Sequence, residues 1–214
     1  MLRGIGQMYH AEALTLLQWL AYARSPLTLD ELVEAAIINP LDEDCIDLDN
    51  VGEPEDALNI LSGLVITEET ESTLVEDPDA LANRWVNVPS SLGRLKIQTD
   101  LLDPPTPPHI RSSVVKVRLA HFSVKEFLES ARIRSGDAAL FHLDPARSHS
   151  FLTQCCLAYL LHYSASENKR SSPEDLNIFP LLRYAANSWF YHSALKQSEE
   201  ISYELAFLGN EHAV

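Results

Sequence analysis

The chain has 214 residues, 46% hydrophobic and 22% charged, and a formal net charge of −15. That length suits one large domain or two small ones with a real core. No apolar run reaches the ~18 residues that a membrane-spanning helix needs, which excludes a helical membrane protein. The charge is unevenly spread: residues 25–83 hold 17 Asp and Glu and no Lys or Arg, and the rest of the chain has a net charge of +2. Such a segment repels phosphate backbones and attracts basic partners, or serves only as a solvated face.

The first predicted helix runs from about His10 to Arg24. Its apolar stretch Ala13–Ala23 imitates a signal peptide, but His10, Glu12, Thr15 and Gln18 interrupt it at helical spacing. Leu14, Leu17 and Ala21 share one face with Leu20 beside them, the pattern of an amphipathic core helix. Ser25 and Pro26 stop it. Thr28 to Glu31 has the form of a capping box and opens a second helix, with Leu29, Leu32, Val33, Ala36 and Ile37 as its apolar stripe. Asn39-Pro40 ends that helix. After an acidic loop, Pro54 fits the first position of a third helix, whose buried face is Ala57, Leu58 and Leu61. Gly63 suits its C-terminal cap, and Leu64–Thr67 reads as a short strand.

Residues 68–113 read as an elongated hairpin or insertion. Trp85–Val88 and Leu95–Ile97 have strand character, whereas the prolines from 104 to 108 fit neither helix nor central strand. Val115, Val117, Leu119 and His121 then alternate with Lys116, Arg118 and Ala120, a half-buried strand. Ser123 to Glu126 has a second capping-box pattern, opening a helix with Val124, Phe127, Leu128 and Ala131 on one face. Three helices and a two-stranded wing, pairing Leu64–Thr67 with Val114–Ala120, describe a winged-helix domain. The remainder reads as helical: Phe151–Tyr163 buried on most sides, a polar connector over 164–175, a helix from Pro180 through Trp189 and Phe190, and a last helix over 199–208. The expected fold is therefore mainly α with a small β-wing. It comprises a winged-helix domain over 1–134, with the insertion at about 68–113, and an α-helical segment over 135–214.

Three stretches together carry a resemblance: LDELVEA at 29–35, LAHFSVKEFL at 119–128 and YAANSWFYH at 184–192. With Glu53–Leu58 and Ser62–Val65, they resemble the segment that follows the nucleotide-binding domain in fungal NACHT–ankyrin proteins. These are STAND-class signalling ATPases, relatives of NOD-like receptors. The resemblance covers about residues 10–195 in pieces, with 68–113 outside it. The winged-helix part of that family carries the label GPI inositol-deacylase winged helix domain, which implies no deacylase activity. The motif residues are Leu119, Ala120, His121, Phe122, Ser123, Glu126, Phe127, Leu128, Tyr184, Ala185, Trp189 and His192, with structural roles expected. The chain departs from the family in having no G-x-x-x-x-G-K-[ST] phosphate cradle and no ankyrin period. The resemblance implies a non-catalytic regulatory module, a fragment or a stand-alone product, that binds the NACHT ATPase or ankyrin segments in cis or in trans. It implies a cytoplasmic location and no cofactor, membrane or nucleic-acid partner. Stripped of neighbouring domains, such a module would leave apolar surface in water, and marginal stability or self-association is then expected.

Single residues add little chemistry. His121, with Ser123 and Glu126 nearby, invites an acid–base reading, but a structural histidine joining strand to helix accounts for it. The run Asp42–Asp49 fits no register of an EF-hand loop. His142, His149, Cys155, Cys156 and His162 lack paired zinc-ligand spacing. Cys45, Cys155 and Cys156 read as reduced thiols of an intracellular protein. The alternative function is a winged-helix DNA-binding regulator, but the third helix exposes Glu55, Asp56, Asn59 and Ser62, with no cation for phosphate. Trp189, Phe190 and Tyr191 are consecutive and cannot all face one core, so an exposed aromatic is expected there.

Overall fold

The computed structural model describes residues 2–40, 45–46, 54–72, 112–197 and 201–209. It is mainly helical with a small antiparallel sheet. Contacts divide the chain into two units, Met1–Glu69 with Val115–Val214, and Thr70–Val114. The second contributes only the ends of two strands to the described residues.

Helix α1 spans His10–Tyr22. Its fully buried residues are Ala13, Leu16, Leu17, Trp19 and Tyr22, so only Leu17 of the expected stripe lies at the centre of the buried face. Three neighbours cause the difference: α1 packs on α2 (Leu29–Ala36), α3 (Pro54–Ile60) and α6 (Pro145–Ala165), and burial extends around most of its circumference. Between α1 and α2 lies strand β1, Leu27–Thr28, too short for any alternation to reveal. The expected capping box opens α2: the Glu31 amide donates to Thr28 Oγ1 at 3.1 Å, and the Thr28 amide donates to Glu31 Oε2 at 2.7 Å. Helix α3 begins at Pro54, as its missing N–H permits, and buries Ala57. Gly63 adopts φ 78° in the turn that follows, a conformation that glycine takes without steric cost.

Strand β2 is Val65–Ser72 and β3 is Ser112–Leu119. The sheet order is β1-β3-β2, with Leu27 opposite Val117 and Thr28 opposite Lys116. The expected neighbours therefore pair, and both strands run further into the region read as an insertion. Arg118 forms an exposed ion pair with Glu68. The strand character at Trp85–Val88 and Leu95–Ile97, the proline run and most of the acidic run Asp42–Asp49 lie outside the described residues.

Ala120 donates to Leu64 O, closing the sheet, and α4 (Phe122–Glu129) follows. Its cap differs from the sequence pattern. His121, extended at φ −153°, is the N-cap, and its Nδ1 accepts from the Ser123 amide at 3.2 Å. Of the expected apolar face, Leu128 is buried and Val124 half-buried, but Phe127 is exposed. A short α5, Ala131–Arg134, precedes α6. Pro145 occupies the first turn of α6, and Asp144 caps it by accepting from the Arg147 amide at 3.0 Å. This 21-residue helix buries an unbroken run from Cys155 to Leu160, as its apolar circumference requires. A short α7 (Asp175–Ile178) leads to α8 (Leu182–Leu195), which packs along α6, and α9 (Ser202–Leu208) closes the chain. Leu16, Leu32, Val117 and Leu128 share one hydrophobic cluster with Leu152, Tyr159, Phe179 and Leu181, on both sides of position 134. No helix among the described residues is long and apolar enough to cross a membrane.

Candidate functional site

Two of the motif stretches meet at the C-terminal end of α1. On α8, Tyr184 and His192 are two turns apart, and the Tyr184 hydroxyl lies 2.8 Å from His192 Nε2. The other ring nitrogen of His192, Nδ1, lies 2.9 Å from Nδ1 of His149 on α6. The Arg24 amide, just past α1, donates to the Tyr184 hydroxyl at 3.0 Å. Trp19 packs edge-on against Tyr184, with ring centroids 5.6 Å apart. On the other flank, His149 meets the ring of Tyr22 at 5.2 Å. The Tyr22 hydroxyl donates to Glu129 Oε1 at 2.7 Å, and Lys125 Nζ lies 4.3 Å from the centre of the Tyr22 ring and donates to Ala21 O. Helices α4, α6 and α8 thus clamp α1, through Lys125 and Glu129 of α4, His149 of α6 and Tyr184 of α8.

Burial sets the charge of this network. His192 is pushed down to about 4 by burial first, then by His149 and Arg24. Burial, with Lys125 nearby, also lowers His149. Burial raises the phenols of Tyr22 and Tyr184 well above their usual range, and Glu129 adds to the effect at Tyr22. At neutral pH the imidazoles and phenols are therefore all uncharged. The cluster positions helices, and no member is tuned for proton transfer near pH 7.

The motif residues around His121 lie elsewhere. His121, Phe122, Ser123, Glu126 and Phe127 are all exposed, while Leu119 and Ala120 are half-buried and Leu128 is buried. The His121 imidazole turns outward and caps the first turn of the helix that follows its strand. His121 Nδ1 is 2.8 Å from Ser123 Oγ, but among the described residues no carboxylate bonds the ring to complete a nucleophile's triad. Ala185 is buried. Trp189 is half-buried against Phe207 of α9, and Phe190 is 70% exposed, which supplies the outward aromatic expected there.

A shallow cleft of about 520 Å³ opens along the start of α6, lined by Asp144, Arg147, Ser150, Phe151, Gln154 and others, and none of the motif residues reaches it. The His and Cys residues that lack zinc-ligand spacing in sequence have separate partners. His142 accepts from Arg134 at 2.8 Å, His149 bonds His192, and Cys155 and Cys156 are buried free thiols. Among the described residues, no three His, Cys, Asp or Glu converge as metal ligands.

Sequence reasoning passed over three groups. Glu34, buried on α2, accepts from the Tyr159 hydroxyl and from the Leu181 amide at 3.0 Å. Asp175 accepts from Tyr163 at 2.6 Å and from the amides of Arg170 and Ser171, and these donors hold its carboxyl below its usual range. Tyr203 donates to Pro40 O at 2.6 Å and lies 3.3 Å from Cys45 Sγ. Each joins residues far apart in the chain, or across an irregular turn, and leaves no periodic trace.

No family model matches the chain, and no solved structure matches it. It is similar to the azaphilone pigments biosynthesis cluster protein L of Monascus ruber, with 24% identity over 189 residues that span 88% of this chain. The match takes in 32% of that protein, so this chain spans about a third of the length of the curated relative it matches.

Proposed function

We propose that this chain is a non-catalytic regulatory and protein-interaction module of a NACHT-type STAND signalling ATPase: a winged-helix segment with the helical segment that follows it. The observation that carries the reading is the split within LAHFSVKEFL. Its inner residues Lys125 and Leu128, with Glu129 next in the chain, fasten α4 to the body of the protein, while Phe122, at 70% exposure, and Phe127 face solvent. Large apolar side chains on an outer helix arc favour a protein partner. The partner is the ATPase or ankyrin portion, in cis or in trans, in the cytoplasm. Three helices leading into neighbouring strands β2 and β3 support the winged-helix assignment. The similarity pattern supports a module, since nearly all of this chain corresponds to a third of a longer protein. That relative's name associates it with a pigment biosynthesis cluster and specifies no chemical step. Self-association through Phe190, Leu205 and Leu208, all exposed, belongs to the same reading.

Full-length transcript sequencing combined with a binding assay tests this. The reading is supported by a Walker-type phosphate loop upstream in the same frame, or by direct binding to a separately purified NACHT–ankyrin protein of the same genome. In the binding assay, Phe122→Ser with Phe127→Ser weakens capture at least tenfold without lowering the melting temperature. Tight duplex DNA binding at low salt by a chain that captures no such protein would replace it with the DNA-binding alternative.

A further inference from the structure

The C-terminal half of α8 has an unusual inner face. Tyr184 and Ala185 bury the first half, but beyond them the fully buried residues are Ser188 and His192. Toward α9, Trp189 packs on Phe207 and Ser193 donates to Glu204, but toward α6 these buried residues offer little apolar area, and the His149–His192 contact is a polar tie from 188–195 to that helix.

That contact tolerates only certain protons. Two Nδ1 atoms 2.9 Å apart need one donor and one acceptor. With Tyr184 donating to His192 Nε2, His192 Nδ1–H donates to His149 Nδ1, and both rings are neutral. In the reverse order, His149 donates to His192, and His192 Nε2–H donates to Tyr184. A proton added to the accepting Nδ1 sets two N–H groups against each other. A proton added to His192 Nε2 in the first arrangement makes a buried cation beside Arg24.

The surroundings give such a cation no relief. Arg24 faces the pair from the end of α1, its guanidinium 5.6 Å from the centre of the Tyr191 ring, and Lys125 faces it from α4. Tyr22 from α1 and Tyr184 and Tyr191 from α8 complete the shell, with Cys156 of α6 near Tyr184. The nearby carboxylates bond elsewhere, Glu129 to Tyr22, Glu31 to the Thr28 amide and Asp144 to the Arg147 amide, and none of the three bonds either imidazole.

We infer that the His149–His192 pair is an acid-operated latch, whose protonation frees the C-terminal half of α8 from α6 while the start of α8 stays fixed. The fixed end is Leu181, whose amide donates to buried Glu34. Protonated or not, that carboxyl keeps an oxygen to accept the bond. The sign follows from the depressed imidazole. The closed form excludes the proton, so it is fully favoured above the ordinary 6.5 and loses ground as pH falls toward about 4. Between pH 6.5 and 5.0 this shifts the balance toward the open form about 15-fold through His192 alone.

Hydrogen–deuterium exchange on the whole chain, corrected for the intrinsic pH dependence of exchange, tests the latch. At pH 7.5, amides of 188–195 are expected to be protected at least a hundredfold. At pH 5.0 their protection falls below tenfold, while α1 and the middle of α6 keep a hundredfold or more. His192→Gln, which can bond His149 and Tyr184 without titrating, removes that shift and keeps 188–195 protected at pH 5.0. Should that variant fail to fold, ¹⁵N imidazole spectra of the unmodified protein decide: His149 and His192 titrate together and below the ordinary histidine range. The latch is overturned if 188–195 stay protected at pH 5.0, if α1 and α6 lose protection with them, if His192→Gln responds as the parent does, or if the two rings titrate independently at ordinary values.

Discussion

Tyr159 of α6 donates its hydroxyl to Glu34 of α2, and both residues are buried. Because Glu34 also takes the Leu181 amide, one carboxylate joins α2, α6 and the approach to α8. The contact spans 125 residues of sequence.

Removing one partner of this bond and replacing the other should have different consequences. Tyr159→Phe leaves a buried carboxylate short of a donor and is expected to cost about 1–3 kcal/mol. Glu34→Gln keeps the shape and an acceptor oxygen. Burial raises the Glu34 carboxyl above its ordinary 4.5, against the opposing pull of Tyr159 and Leu181. The folded state therefore holds that proton longer than the unfolded state does. The stability from this group is present below pH 4.5 and is lost as pH rises through the folded value. Urea midpoints of Glu34→Gln relative to the parent should improve as pH rises above 4.5 and level off once pH has passed the folded value. A difference that is flat with pH would show that the carboxyl is not perturbed.

The start of α4 separates two readings of its cap. The Ser123–Glu126 spacing predicts that Ser123→Ala is the costly change. The structure assigns the cap to His121, whose Nδ1 accepts the Ser123 amide whatever the side chain at 123. Thermal melts should show His121→Ala costing about 1 kcal/mol and Ser123→Ala only a few tenths.

This contrast shows what was legible in the sequence. The Thr28–Glu31 box, the helix at Pro54 and the strand pair flanking the insertion could all be read, because each rests on chemistry local in the chain. Ser123 misled because the same S-x-x-E spacing starts two residues too late when an extended His121 can cap instead. Tyr184 and His192 could be singled out by resemblance, but their partners His149 and Arg24 could not. Those pairings depend on how α6, α8 and the end of α1 are brought together, and no spacing within one helix encodes that. Phe127 was read as core because it follows Val124 by three positions. In the structure, burial on α4 centres on Leu128 instead.

Gly63 turns the chain from α3 into β2 at φ 78°. A Cβ there meets the steric cost of the left-handed region. Gly63→Ala is therefore expected to lower stability by about 1 kcal/mol, and Gly63→Val by more. Equal melting temperatures for all three proteins would show that this turn relaxes without penalty.

Leucines of the same size should behave oppositely on α6 and α9. Leu157 is fully buried in the core, so Leu157→Ala removes contacts on every side and is expected to cost about 2–5 kcal/mol. Leu205 and Leu208 are 62% and 71% exposed on α9, whose inner side instead packs Phe207 against Trp189 and pairs Glu204 with Lys196. Leu205→Ser with Leu208→Ser should therefore change the urea midpoint by less than about 0.5 kcal/mol per site. Sedimentation of the parent at rising concentration should show reversible association, and the double serine variant should remain monomeric over the same range. If the parent stays monomeric, the exposed α9 stripe is not a self-association surface. If both associate equally, the contact lies elsewhere on the protein.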